Sequence, residues 1–125
     1  MERMQILEHK GKKILYLDFS KANYEEAKEI MNDAQKIIFS SEPNSLLIID
    51  NFTDAEVTPQ ATYKLKEFVM QNKPYIKASA VMGVGGIKRV LLNTIIQHSG
   101  RKFYVFNNIE DAKEWLVSQD CDNKG

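Results

Sequence analysis

Three glycines and two bases stand together in "VMGVGGIKRV": Gly83, Gly85 and Gly86, then Lys88 and Arg89. A glycine turn opening a helix can let backbone amides cradle a phosphate, because the chain approaches closely and the first helical N–H groups have no partner. Two specific versions of that chemistry are excluded. The dinucleotide fingerprint G-x-G-x-x-G needs glycine where Lys88 stands, and a P-loop needs Gly-Lys-Ser/Thr, which "GGIKRV" lacks. What is left is permissive backbone, free amides and two bases in a first helical turn. Their charge opposes the helix dipole by roughly 0.3–1 kcal/mol, which an anion would relieve. Three readings stay open here: an anion or phosphate site, a protein-contact surface, and a tight corner in which glycine supplies positive φ.

Thr58 precedes Pro59, a pairing that starts a helix: the hydroxyl caps a free amide and proline occupies a position that needs no donor. The same position would accept a phosphate, whose charge of up to about −2 is favourable at a helix N-terminus, so Thr58 is also a candidate phosphoacceptor. Asp50 and Asp54, with Glu56, end and follow an apolar run. A phospho-receiver would need an acid pair after the first strand, a hydroxyl after the next and a lysine near the last. Asp18 has no acidic neighbour, "VMGVGG" has no hydroxyl and "KFYVFNN" has no lysine at its end. An aspartate closing a strand more commonly bonds the amides of the following turn. His9 and His98 have no Cys, Asp or second His at ligand spacing, so no metal site is expected. No serine has a G-x-S-x-G context and no carboxylate pair is placed for acid–base work, so no catalytic residue and no cofactor are expected.

The elements that must position these residues follow from periodicity. "MQILEHKGKKILYLDF" reads as a hairpin, Met4–His9 and Lys13–Phe19, around a Lys-Gly turn. "NYEEAKEIMNDAQKIIF" has helical spacing, with Tyr24, Ala27, Ile30, Met31, Ala34, Ile37 and Ile38 on one face and a capping box at Asn23/Glu26. "SLLIID" is a central strand by its continuous apolar run. A helix from Thr58 buries Ala61, Leu65, Phe68 and Val69, and Pro74 separates it from a strand at about Ile76–Met82. After the glycines, "IKRVLLNTIIQ" is expected to turn Val90, Leu91, Thr94 and Ile95 inward, with Leu92 and Ile96 on the other side, and to end at Gly100. "KFYVF" is the last strand, and Asn108 caps a helix that buries Ala112, Trp115 and Leu116. The order β-β-α-β-α-β-α-β-α is that of an α/β domain: a single mixed sheet with an antiparallel hairpin, then parallel strands joined by right-handed crossovers.

Size and composition fit this. At 125 residues the chain suits one domain, expected over 1–119, with a polar tail at 120–125. Its net charge of zero argues against bulk attraction to nucleic acid, although Lys73 to Lys102 holds six bases and no acid. No apolar run approaches the ~20 residues of a membrane helix, and Met1–Lys13 lacks the apolar stretch of a secretion signal. Cys121 is the single cysteine, so no internal disulfide forms and a reducing cytoplasm is expected.

Three stretches, "ILYLDF", "LLIIDNFTDAEVTPQA" and "KFYVFNNIEDAKEWL", resemble the SpoIIAA-like group of STAS-domain proteins, which are related in fold to lipid-binding Sec14-type domains. The resemblance runs from about Gln5 to Ser118. It implies a non-enzymatic regulatory or binding module that engages a protein partner, a second copy of itself or an anionic ligand. Its Sec14-type relation implies the alternative of a carrier for a small lipid or other apolar ligand. In the anti-sigma-factor antagonists of this group a phosphorylated serine lies in an Asp-Ser-Ser-Gly context at a helix start. Here the corresponding stretch is "EVTPQA", with Thr58 as its hydroxyl and without that tetrad. The loops that follow the parallel strands, Asp50–Thr58, Gly83–Arg89 and Asn107–Asn108, are expected to share one rim, where ligands of open α/β sheets tend to sit.

Overall fold

The computed structural model describes residues 3–99 and 103–121. Expectations that fall on Gly100, Arg101, Lys102 and residues 122–125, and on the side chains of Ile96, His98 and Cys121, lie outside the described residues.

Strands β1 (Met4–His9) and β2 (Lys12–Asp18) pair antiparallel from Met4↔Leu17 to His9↔Lys12. Lys10 and Gly11 make the two-residue turn with φ of 52° and 81°. Two left-handed residues in sequence match the twist of the strands they join. Helix α1 (Tyr24–Ile38) starts at the expected capping box: the Glu26 amide donates to Asn23 Oδ1 at 2.8 Å, and the Asn23 amide donates to Glu26 Oε1 at 3.0 Å. Ile30, Met31, Ala34 and Ile38 form its buried stripe. Strand β3 (Leu46–Asn51) is buried from Leu47 to Asp50. Helix α2 (Pro59–Asn72) is capped by Thr58, whose Oγ1 accepts from the Ala61 amide at 3.0 Å. A 3₁₀ turn over Lys73–Tyr75 leads into β4 (Ile76–Met82), followed by α3 (Ile87–Ser99), β5 (Phe103–Phe106) and α4 (Ile109–Cys121). Helix α4 therefore reaches two residues into the segment expected as a tail.

The sheet order is β1-β2-β3-β4-β5, with all pairs after the first parallel. Each crossover thus steps one strand in the same direction. Right-handed connections then put α1, α2 and α3 on one face, while α4, which crosses to no further strand, covers the other. The two cores follow this division. Leu15, Leu17, Phe19 and Ile48 pack with Ile30, Met31 and Phe68 on the three-helix face, and Ile14, Leu47, Ile49 and Ala80 pack with Ala112 and Leu116 on the α4 face. Trp115 is only half-buried, with its ring 4.6 Å from that of Tyr104 and 5.6 Å from that of Phe106.

One expected face is turned. In α3, Leu92 and Ile95 are inside, 4% and 2% exposed, and Leu91 is half-buried. Val90 is 58% exposed and Thr94 is also outside. The inward stripe is 88, 91, 92 and 95, a helical repeat that includes Lys88, whose Nζ reaches across to donate to the Phe52 carbonyl at 3.0 Å. Apolar residues lie on both sides of this helix, so periodicity alone allowed either orientation.

Among the described residues no helix is long and apolar enough to cross a membrane.

Candidate functional site

Strands β3 and β4 run side by side in the same direction, Asp50 opposite Val81 and Asn51 opposite Met82, so the loops that leave them open at one end of the sheet. The Phe52 amide continues the ladder by donating to the Met82 carbonyl at 2.9 Å. Asn51 then shapes the turn: its Oδ1 accepts from the Thr53 amide at 3.1 Å and from the Thr53 hydroxyl at 2.6 Å. Asp54 follows at φ 55°, exposed. The turn-forming carboxamide is thus Asn51, while Asp50 is 6% exposed within the strand.

The three glycines have three different environments. Gly83, at φ 77°, lies so close to the β3 loop that a Cβ there would fall 2.6 Å from Thr53 Cα. Only glycine fits: the backbone is left-handed and the space is already filled. Gly86 has φ 57° with nothing near a Cβ, and Gly85 has neither constraint. The glycine corner is therefore a packing device at Gly83 and a helix entry at Gly86, where the Arg89 amide donates to the Gly86 carbonyl at 3.1 Å.

A third loop completes the site, and it is the one after β2. The Phe19 amide donates to the Asn51 carbonyl at 2.8 Å, the Lys21 amide to the Thr53 carbonyl at 2.9 Å, and the Glu56 amide to the Ala22 carbonyl at 3.0 Å. These bonds stitch residues 51–56 to residues 19–22, and the Phe19 and Phe52 rings stack at 5.0 Å and 18°. Residues 19–22 carried no recognisable motif. The signal lay in the topology, because pairing β2 beside β3 makes their exits neighbours. Asn108, by contrast, caps α4 on the other face, its Oδ1 accepting from the Asp111 amide at 2.9 Å.

Beneath these loops a cavity of about 80 Å³ opens between α1, α2 and α3. Phe19, Met31, Phe52, Leu65, Leu92 and Ile95 are among its apolar lining, and Lys88 and Glu56 are its charged lining residues. Strand order explains its place. A sheet whose order never reverses has no switch point at which helices diverge to opposite faces. The space falls instead under the helices of one face, walled by residues of α1, α2 and α3. Of the expected site residues, Lys88 lines this cavity. Thr58 caps the helix beside it, and Gly83 fixes its corner. Arg89, Gly85 and Gly86 lie exposed on the rim, as does Asp54, while Asp50 is buried in its strand.

Lys88 is half-buried, and its bond to the Phe52 carbonyl uses one of three ammonium protons. Among the described residues no carboxylate is paired with it, Glu56 included. A cation in an apolar wall without a counter-charge favours an anion, because low local polarity strengthens their attraction. No group of three or more His, Cys, Asp or Glu side chains fit to hold a metal occurs among the described residues. The charged contact that sequence spacing missed is at the opposite end of the sheet, by the β1–β2 turn. Glu114 of α4 accepts from Lys10 Nζ at 2.9 Å and lies 2.8 Å from His9 Nε2. These two contacts, that of Lys10 foremost, hold the Glu114 carboxyl below the usual carboxylate range.

No protein-family model matches the chain, and no curated protein matches it. Among solved structures it is similar to an uncharacterised protein of the DUF3478 family from Shewanella loihica PV-4, described as having a SpoIIAA-like fold. The two superpose with a TM-score of 0.73 over 90% of this chain and 91% of that one, at 14% sequence identity. This chain has a SpoIIAA-like fold. At that identity the likeness concerns architecture. Thr58, at the start of α2 in this SpoIIAA-like chain, accepts from the Ala61 amide.

Proposed function

We propose that this protein is a non-enzymatic binding module of SpoIIAA-like fold, and that its ligand is a small, largely apolar molecule held between α1, α2 and α3. The observation that carries this reading is the cavity itself, apolar in its wall and open at the rim where the exits of β2, β3 and β4 converge. Concave, mostly apolar pockets with few polar groups are the common form of small-molecule sites. Lys88, Glu56 and Thr62 are the polar and charged side chains of its lining, few enough to orient a ligand. The single cysteine suits a reducing, cytoplasmic setting.

A second reading is supported by a different observation. Ile87 and Val90, 64% and 58% exposed, flank the rim with Val57, and a protein partner or a second copy of the chain could cover them. Native mass spectrometry and solvent extraction of the purified protein separate the two. A stoichiometric small molecule supports the cavity reading. A persistent dimer with an empty cavity supports the second, and turnover of any added substrate overturns both.

A further inference from the structure

We infer that the cavity selects a single-charge amphiphile, an alkyl carboxylate whose head pairs with the Lys88 ammonium and whose tail enters the apolar wall. This rests on the cavity reading above and adds the chemistry of the ligand. The charge count decides the head group. The wall carries one cation, Lys88, and one anion, Glu56, which is exposed and not paired with it. Arg89 follows Lys88 by one helical position, about 100° around the axis, and is exposed. One negative charge is therefore matched at the wall. A second, as on a phosphate monoester, would have no further cation in the lining to match it. An amine would meet the Lys88 ammonium in its least polar surroundings. A neutral alcohol could accept the same proton but would leave the cation unbalanced.

The direction of the ligand follows from the placing of Lys88. It belongs to the first turn of α3 and is fixed to the Phe52 carbonyl at the rim, while Leu92 and Ile95 lie one and two turns further along the same helix. The carboxylate sits at the mouth, and the tail runs along α3 towards Met31 and Leu65. Size limits the tail. The cavity of about 80 Å³ is roughly half the ~150 Å³ that takes benzene, so it holds the first few carbons of a tail and admits more only as the helices give way.

The test is calorimetric titration with hexanoate, octanoate, octanol, octylamine and octyl phosphate, on the full chain and on two variants. Octanoate is expected to bind at least tenfold tighter than each of the other three eight-carbon compounds. It should bind tighter than hexanoate by about fourfold for each added methylene that enters the wall. Lys88→Met should bring octanoate to the level of octanol. Lys88→Arg should keep the preference, and the unfolding midpoints of both variants show whether either has lost the fold. If octanol or octylamine matches octanoate in the parent protein, or if Lys88→Met keeps the preference, the head-group inference fails while the cavity reading stands. A tighter octyl phosphate overturns the single-charge argument alone. If none of the five binds and extraction yields no small molecule, both readings fall.

Discussion

Gly83 and Thr53 are packed so closely that the chain leaving β4 and the chain leaving β3 have no room for a side chain between them. Replacing Gly83 with alanine combines a left-handed φ with an overpacked contact. We expect Gly83→Ala to lower stability by roughly 3 kcal/mol. Gly85→Ala, with neither problem, should stay within about 0.5 kcal/mol of the parent. Urea unfolding of both variants checks this. A phosphate cradle formed by the glycines as a group would instead make the two substitutions alike in a phosphate-binding assay and leave their stabilities comparable.

The orientation of α3 can be read from two neighbouring alanine substitutions. Leu92 is enclosed, so Leu92→Ala should cost about 2–4 kcal/mol. Val90 faces outward, and Val90→Ala should stay within about 0.5 kcal/mol. Denaturant midpoints giving the reverse order would turn the helix back to the face that periodicity first suggested.

Thr58 holds a cap, and that role has a size. Thr58→Ala should lower stability by about 1 kcal/mol, while Thr58→Asp, a good cap carrying charge at a helix N-terminus, should retain it. Mass spectrometry of protein from its native host tests the regulatory reading separately: a modified Thr58 would make this cap a switch.

The Glu114 contacts with Lys10 and His9 give a pH dependence of definite sign. The carboxyl is held below its ordinary range, so it binds fewer protons folded than unfolded in that interval. Its contribution is complete above the ordinary carboxylate pKa and is lost as pH falls through the lowered, folded value. Glu114→Gln should therefore melt slightly below the parent at neutral pH, and the two curves should converge on acidification. The difference should also shrink with added salt, since the group lies at the surface. A gap that widens at low pH would contradict the assignment.

Much of this architecture was legible in the chain because local signals agreed with each other. Asn23 and Glu26 marked the start of α1, Thr58 and Pro59 that of α2, and Lys10-Gly11 the hairpin; in each case a particular side chain or backbone angle does what its type does best. The facing of α3 was not legible, since Ile87, Val90, Leu91, Leu92 and Ile95 are apolar around most of its circumference. In the fold Leu92 and Ile95 are the buried pair, and Lys88 on the same side bonds a carbonyl 36 positions away. The rim was half legible. The exits of β3 and β4 could be placed together by parallel pairing, but Ala22 and Phe19 enter the site only because β2 lies on the far side of β3. The cavity was not written in any motif, being space left among three helices of one face.

The unbroken order of the five strands bears on how the molecule is made. Every strand after the first finds its partner already synthesised, separated only by the intervening crossover, so the sheet can zip from the amino end as the polypeptide leaves the ribosome. Pairings never have to wait for a distant segment. The last parallel partner to arrive, β5, also brings α4 onto the second face, so the Ile49–Ala80 side of the nascent sheet stays uncovered until the final helix docks.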